Sequence, residues 1–166
     1  MTIPSASIDE GLNLLRNGRN REFNRWRMSN LTLKLDFSGM NLSKAQLQGT
    51  YLNGVVAGNA DFSGSNLAEA NLVQAKLDGA NFSGSNLSRT LLMYAEIKGC
   101  NFTNCDLSGT NMMWAHADGA NFIGARFSKT ILVEASIQNA KVGEGKSDSF
   151  LKYAKTDGTR WFDAPG

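Results

Sequence analysis

Chemistry begins with side chains that ionise, ligate or attack, and this 166-residue chain offers few of them. Its one histidine is His116, with Asp118 two residues on and no second histidine or cysteine cluster beside it. A lone imidazole of this kind is ordinarily a surface residue. Cys100 and Cys105 are the two cysteines. A structural zinc asks for about four ligands, so the pair reads as buried, free thiols. "GEG" at 143–145 reads as a turn, because the GxxxxGK(S/T) spacing and a following helix are missing. Serine and threonine hydroxyls abound, but no His–acid partner falls beside one. The expectation is no catalytic residue, no metal, no cofactor and no enzyme activity.

What positions these residues is a repeat of five. From Asp36 to Gly145 the chain divides into 22 consecutive pentapeptides without an insertion. The second residue of each is apolar: ten Leu, six Phe, and Ala57, Ile97, Met112, Ala117, Ile137 and Val142. Two positions earlier the residue is small in 19 of 22 cases, the exceptions being Leu35, Met40 and Val55. Neither a helix period of 3.6 nor a strand period of 2 sustains such a pattern. A coil with flat sides and corners does, with one large and one small inward residue per side. Glycine recurs two places after the large residue, which suits corners with unusual backbone angles.

"DFSGSNL" at 61–67 returns as "NFSGSNL" at 81–87, and Phe62, Phe82, Phe102 and Phe122 are spaced by 20. Four pentapeptides therefore make one lap, and like residues stack on one side. Five and a half laps at about 4.8 Å each predict a rod of roughly 26 Å. Units such as "ANLVQ", "AKLDG", "ANFSG" and "ANFIG" resemble the A(D/N)LXX tandem repeats of the pentapeptide-repeat family. The resemblance covers about two thirds of the chain. It implies an all-β solenoid, a right-handed quadrilateral β-helix, with short helical N-terminal and C-terminal caps.

The expected domains are an N-terminal helical or strand cap at 1–35, the β-helix at 36–145 and a C-terminal cap or tail at 146–166. Residues 7 to 28 read as two short helices, with a Ser7–Glu10 capping box and a stop at Asn17-Gly18. Phe23 and Trp26, three apart on one helix face, are expected to plug the first lap. "EFNRWR" resembles the aromatic-basic lead-in of many bacterial members of the family. Arg16, Arg19, Arg21, Arg25 and Arg27 fall all round the helices, the pattern of a solvated surface rather than of a nucleic-acid face. In the tail, Phe150, Leu151, Tyr153, Trp161 and Phe162 would close the last lap or pack back along the rod, after a hinge at 145–149.

Written side by side, three sides carry Asn, Ser, Gly and charged residues outward. Asn41, Asn81, Asn101 and Asn121, with Asp61, form a polar ladder on the side of the phenylalanines. The fourth side has Leu52, Leu72, Leu92, Met112 and Leu132 inward. Its outward slots hold Tyr51, Val73, Leu91, Met93, Tyr94, Met113, Trp114, Ile131 and Val133. A large apolar patch of this kind marks an interface, and Trp, Tyr and Met are enriched there. Two readings stand: the terminal segments cover this side, or it binds a second protein, an identical chain included.

The formal net charge is +2 and 42% of residues are hydrophobic, so neither disorder nor a polyanion binder is indicated. No basic-then-apolar leader and no 18-residue apolar run is present, which predicts a cytoplasmic protein without a membrane span. The leading expectation is a non-enzymatic protein–protein interaction scaffold. The alternative, taken from the family, is a DNA mimic that binds DNA gyrase or topoisomerase and protects against quinolones. That role needs a strongly acidic surface, and residues 36–145 carry nine acidic against seven basic residues. A third reading, a secreted bacterial effector, has no targeting pattern for or against it.

Overall fold

The structure, a computed structural model, describes residues 7–143 and the backbone of residues 160–162. Its logic is visible in one pentapeptide, Asn71–Ala75. Asn71 N–H donates to Thr50 C=O of the previous lap (2.9 Å). Leu72 and Gln74 N–H donate to Leu91 and Met93 C=O of the next lap (2.8 and 2.9 Å). Ala75 N–H closes a turn onto Leu72 C=O (3.1 Å). The fifth amide, that of Val73, is taken by the Asn71 side chain (Oδ1, 3.1 Å). Every backbone donor in the unit has an acceptor, as burial requires.

This pattern explains the repeat chemically. An Asn or Asp before the large inward residue accepts from the backbone two residues on, an Asx turn. Asp61, Asn81, Asn101 and Asn121 do so toward Ser63, Ser83, Thr103 and Ile123. Two of these side chains also donate downward, Asn81 to Asp61 and Asn101 to Asn81, each at 3.1 Å. Three rungs of the ladder expected from sequence, Asp61, Asn81 and Asn101, are thus joined by side-chain hydrogen bonds.

Parallel pairings run from Asp36↔Val56 to His116↔Ser136, always 20 residues apart. Each side between two corners is so short that most pairings are single residues. Named helices and strands are correspondingly few: α1 (Ile8–Arg16), α2 (Asn20–Ser29), β1 (Asn121–Phe122), β2 (Lys141–Gly143) and β3 (Arg160–Phe162). All 21 corner positions from 39 to 139 have positive φ, ten of them glycine and eleven not. Glycine is therefore not required at a corner. Lys44, Glu69, Arg89 and others adopt the left-handed conformation there, at φ between 55 and 61°.

The interior is filled as the small–large alternation demands. Phe62, Phe82, Phe102 and Phe122 stack at 5.0–5.2 Å, within 4° of parallel. Buried hydroxyls and thiols in the small slots reach back a lap and three residues to a carbonyl: Ser85 to Phe62, Thr90 to Leu67, Cys105 to Phe82, each at 2.7 Å. These polar atoms enter the core paired, whereas the buried Ser65 hydroxyl has no hydrogen-bond partner.

The first lap has no lap beneath it, so its lower edge is open to pairing. Helix α2 lies along two sides of that edge. Asn20 donates to Gln48 C=O (3.0 Å) and Asn24 to Gly49 C=O (2.9 Å), while Asn24 Oδ1 accepts from Tyr51 N–H (2.8 Å). Phe23 is fully buried and Trp26 is 8% exposed, both in the hydrophobic core. Ser7 caps α1 by accepting from Glu10 N–H (3.3 Å), without the reciprocal bond of a full capping box.

One arginine departs from the expected solvated surface. Arg27 is buried, and its guanidinium donates to Asn30 and Leu33 C=O (2.9 Å each) and to Asn53 C=O (3.4 Å). It fastens the end of α2 to the edge of the first lap, where the carbonyl-rich helix C-terminus favours a cation.

At the far end, β2 pairs with β1 at the 20-residue spacing, and β3 pairs with β2 at a spacing of 19, Val142 opposite Trp161. The backbone of Trp161 and Phe162 therefore adds a rung on the phenylalanine side. Phe150, Leu151, Tyr153 and the expected hinge at 145–149 lie outside the described residues.

Candidate functional site

The apolar side follows from three columns of residues stacked lap on lap. The first column, just before the inward residue, is Tyr51, Asn71, Leu91, Asn111, Ile131. The second, just after it, holds Val73, Met93, Met113 and Val133, all half-buried. The third is the corner itself, with Tyr94 and Trp114 one lap apart. The nine residues expected on the fourth side divide among these columns. The first column lies on the flat, the second opens the turn, and Tyr94 and Trp114 form a ridge at its edge.

Exposure divides the nine in the same way. Tyr51, Leu91, Tyr94, Trp114 and Ile131 are 36–49% exposed. Tyr94 and Trp114 stack, with ring centroids 4.9 Å apart and planes within 9°. Their backbones sit at φ +58° and +57°, where a bulky side chain is disfavoured. Tyr51, Leu91 and Ile131 carry no oxygen that could make the Asx turn, unlike Asn71 and Asn111, which bond Val73 and Met113 N–H at 3.1 Å. Sequence layout passed over these two asparagines. They become visible once the column before the inward residue is read by itself.

Of the two readings of this side, one half is now corrected. The N-terminal helices do not cover it; they lie across the first-lap edge, and Tyr51 remains 42% exposed. The described part of the tail, β3, stands on the phenylalanine side instead.

The neighbouring surfaces are charged but modestly so. Ion pairs link successive laps: Glu69–Arg89 at 2.6 Å, Lys76–Glu96 at 3.7 Å and Asp106–Arg126 at 3.7 Å, all well exposed. Exposed pairs of this kind contribute about 0–1 kcal/mol each. The Ser108 hydroxyl and backbone N–H hold the Asp106 carboxyl below its ordinary range, with Arg126 adding to the effect.

The residues first considered for chemistry are placed plainly. His116 is exposed, its backbone paired between Glu96 and Ser136. Asp118 accepts from the Ser136 hydroxyl and from Gln138 N–H. Cys100 and Cys105 are buried and unbridged, and burial pushes both thiols up to about 12. No group of three or more potential metal ligands occurs among the described residues. Two clefts of about 500 and 590 Å³ lie between the helices and residues 41–49 of the first lap, the second also bordered by Glu69, at the corner that precedes the apolar side. No helix among the described residues is long and apolar enough to cross a membrane.

The family model for pentapeptide repeats matches in four overlapping stretches that together run from residue 58 to 142, half of the chain. The chain belongs to the pentapeptide repeat family. Membership carries with it the right-handed quadrilateral β-helix, in agreement with four turns per 20-residue lap. Among solved structures, this pentapeptide repeat protein is similar to one from the thylakoid lumen of Arabidopsis thaliana: 22% identity over 78% of this chain and 83% of that one, TM-score 0.49. It is similar to Rfr23 from the cyanobacterium Cyanothece 51142, with 21% identity over 85% and 99% and a TM-score of 0.41. It is also similar to QnrB1, a plasmid-mediated fluoroquinolone resistance protein, with 20% identity over 76% and 70% and a TM-score of 0.34. No curated protein matches the chain.

Proposed function

We propose that this pentapeptide repeat protein is a non-enzymatic interaction scaffold that docks a protein through its apolar side. The observation that supports this most is the Tyr94–Trp114 ridge. Two large aromatic residues occupy left-handed corners that elsewhere hold Gly, Asn, Lys, Arg, Gln or Glu, and they remain exposed. A left-handed non-glycine residue costs about 1–2 kcal/mol. Tyr51, Leu91 and Ile131 add to that cost by giving up an Asx turn each. What sets this side apart is that exposed large apolar residues stand at all five of these positions, which suits a selected surface.

A DNA-mimicking role would need a strongly acidic rod, and the excess of two acidic residues over the repeats is too small for it. The test compares the wild-type chain with a Met93→Glu/Trp114→Glu double variant. Both should show the same circular dichroism. Only the wild type should associate, with itself or with another protein. Identical masses and identical partner capture for the two chains would remove the interaction role from this side.

A further inference from the structure

We infer that the protein docked on the apolar side is a second copy of this chain, running antiparallel to the first. The inference rests on the proposed role of that side and goes beyond it by naming the partner.

The side is self-complementary in one register. Let a two-fold axis cross it midway between the rungs of Leu91 and Asn111, perpendicular to the rod. An isologous interface then sets each lap against the lap equally far beyond the axis, within the same column. Leu91 meets the partner's Asn111, and Ile131 meets the partner's Asn71, so large side chains fall opposite small ones. Met93 faces the partner's Met113, and Tyr94 faces the partner's Trp114. At the corner that precedes the side, Glu69 faces the partner's Lys129.

Charge excludes the registers half a lap away, and the pairing of Met93 with Met113 and of Tyr94 with Trp114 excludes the one a full lap back, where Tyr94 would face Gln74. The corner column reads Gly49, Glu69, Arg89, Gly109, Lys129. With the axis as described, Glu69, paired to Arg89 of its own chain at 2.6 Å, meets a lysine, and Arg89 meets a glycine. Moving the axis half a lap one way sets Arg89 against itself. Moving it half a lap the other way sets Arg89 against Lys129. Like charges face to face across an interface are strongly disfavoured.

The area suffices. Leu91, Tyr94, Trp114 and Ile131, exposed by 36–49%, contribute roughly 300 Å² per copy, taking about 150–250 Å² for each large side chain. With the half-buried column and the rim, the pair approaches the roughly 1,000 Å² at which specific interfaces begin.

The test is sedimentation of the full chain over a wide concentration range, with cross-linking to read the register. The wild type should sediment as a dimer. Trp114→Glu should raise its dissociation constant at least about tenfold, as loss of a central aromatic does. Val73→Cys chains mixed with Val133→Cys chains should cross-link on mild oxidation, whereas Val73→Cys chains alone should not. The native cysteines are buried and do not compete. A wild type that stays monomeric throughout overturns the inference, as does self-cross-linking of Val73→Cys as fast as in the mixture. A monomer that still captures another protein through Trp114 overturns the dimer and leaves the scaffold role standing.

Discussion

The indole of Trp114 lies 4.9 Å from the ring of Tyr94, nearly parallel to it, and both residues hold the left-handed backbone of a coil corner. Stability and surface function pull in opposite directions here. Trp114→Gly removes the strain of a non-glycine corner, about 1 kcal/mol, and loses part of an aromatic stack worth a similar amount. Its unfolding midpoint should stay close to that of the wild type, while association through this side is lost. Thermal melting read beside sedimentation checks both halves. A large fall in the midpoint would mean that the ridge is structural.

The first-lap edge yields a second expectation. Asn24 satisfies two backbone groups at once, Gly49 C=O and Tyr51 N–H. Asn24→Ala leaves both without these partners and should cost about 1–3 kcal/mol. It also unmasks part of a strand edge, so the variant should aggregate faster on partial unfolding. Denaturant titration measures the first effect and light scattering the second.

How far the sequence could be read depended on the range of each interaction. The 20-residue lap was legible because Phe62, Phe82, Phe102 and Phe122 repeat one local rule, and repetition makes a weak signal strong. The candidate surface was legible as a set of residues for the same reason. Its division into flat and ridge was not, because Lys, Glu, Tyr and Trp at corners carry no mark of positive φ as glycine does. The burial of Arg27 was hidden as well. One of its acceptors, Asn53 C=O, lies 26 residues away and is brought near only by the coil. The asparagine ladder showed its residue types but not its bonds, since the Ser63 and Ser83 N–H groups become acceptors' partners only once the corners form.

That ladder predicts an acid limit. Asp61 accepts from the Ser63 backbone N–H, from the Ser63 hydroxyl and from the Asn81 amide, and these bonds hold its carboxyl below the usual range against a smaller opposing effect of burial. A carboxyl depressed in the folded state contributes stability above its unfolded value, near 3.9, and that contribution is lost as pH falls through the folded value. Asp61→Asn should therefore flatten the fall of stability below about pH 4 and change little near neutrality. Melting curves across the acid range decide it. An unchanged pH slope in the variant would show that Asp61 does not supply this dependence.

The buried thiols give the sharpest check on the small inward slots. Cys100 and Cys105 donate to Leu77 and Phe82 carbonyls of the previous lap, at 3.1 and 2.7 Å. Burial raises both to about 12, so almost no thiolate is present near neutral pH. A thiol reagent at pH 8 should label neither in the native chain and both in denaturant. Because each sulfur fills a slot that serine or threonine fills elsewhere in the coil, Cys105→Ser should keep the hydrogen bond to Phe82 and cost under about 1.5 kcal/mol. Cys105→Val removes the donor, adds volume, and forces a β-branched side chain beside the stacked phenylalanines. It should be the less stable of the two. Rapid labelling of Cys105 in the native chain, or a Val variant more stable than the Ser variant, would show that the slot is looser and less polar than this geometry requires.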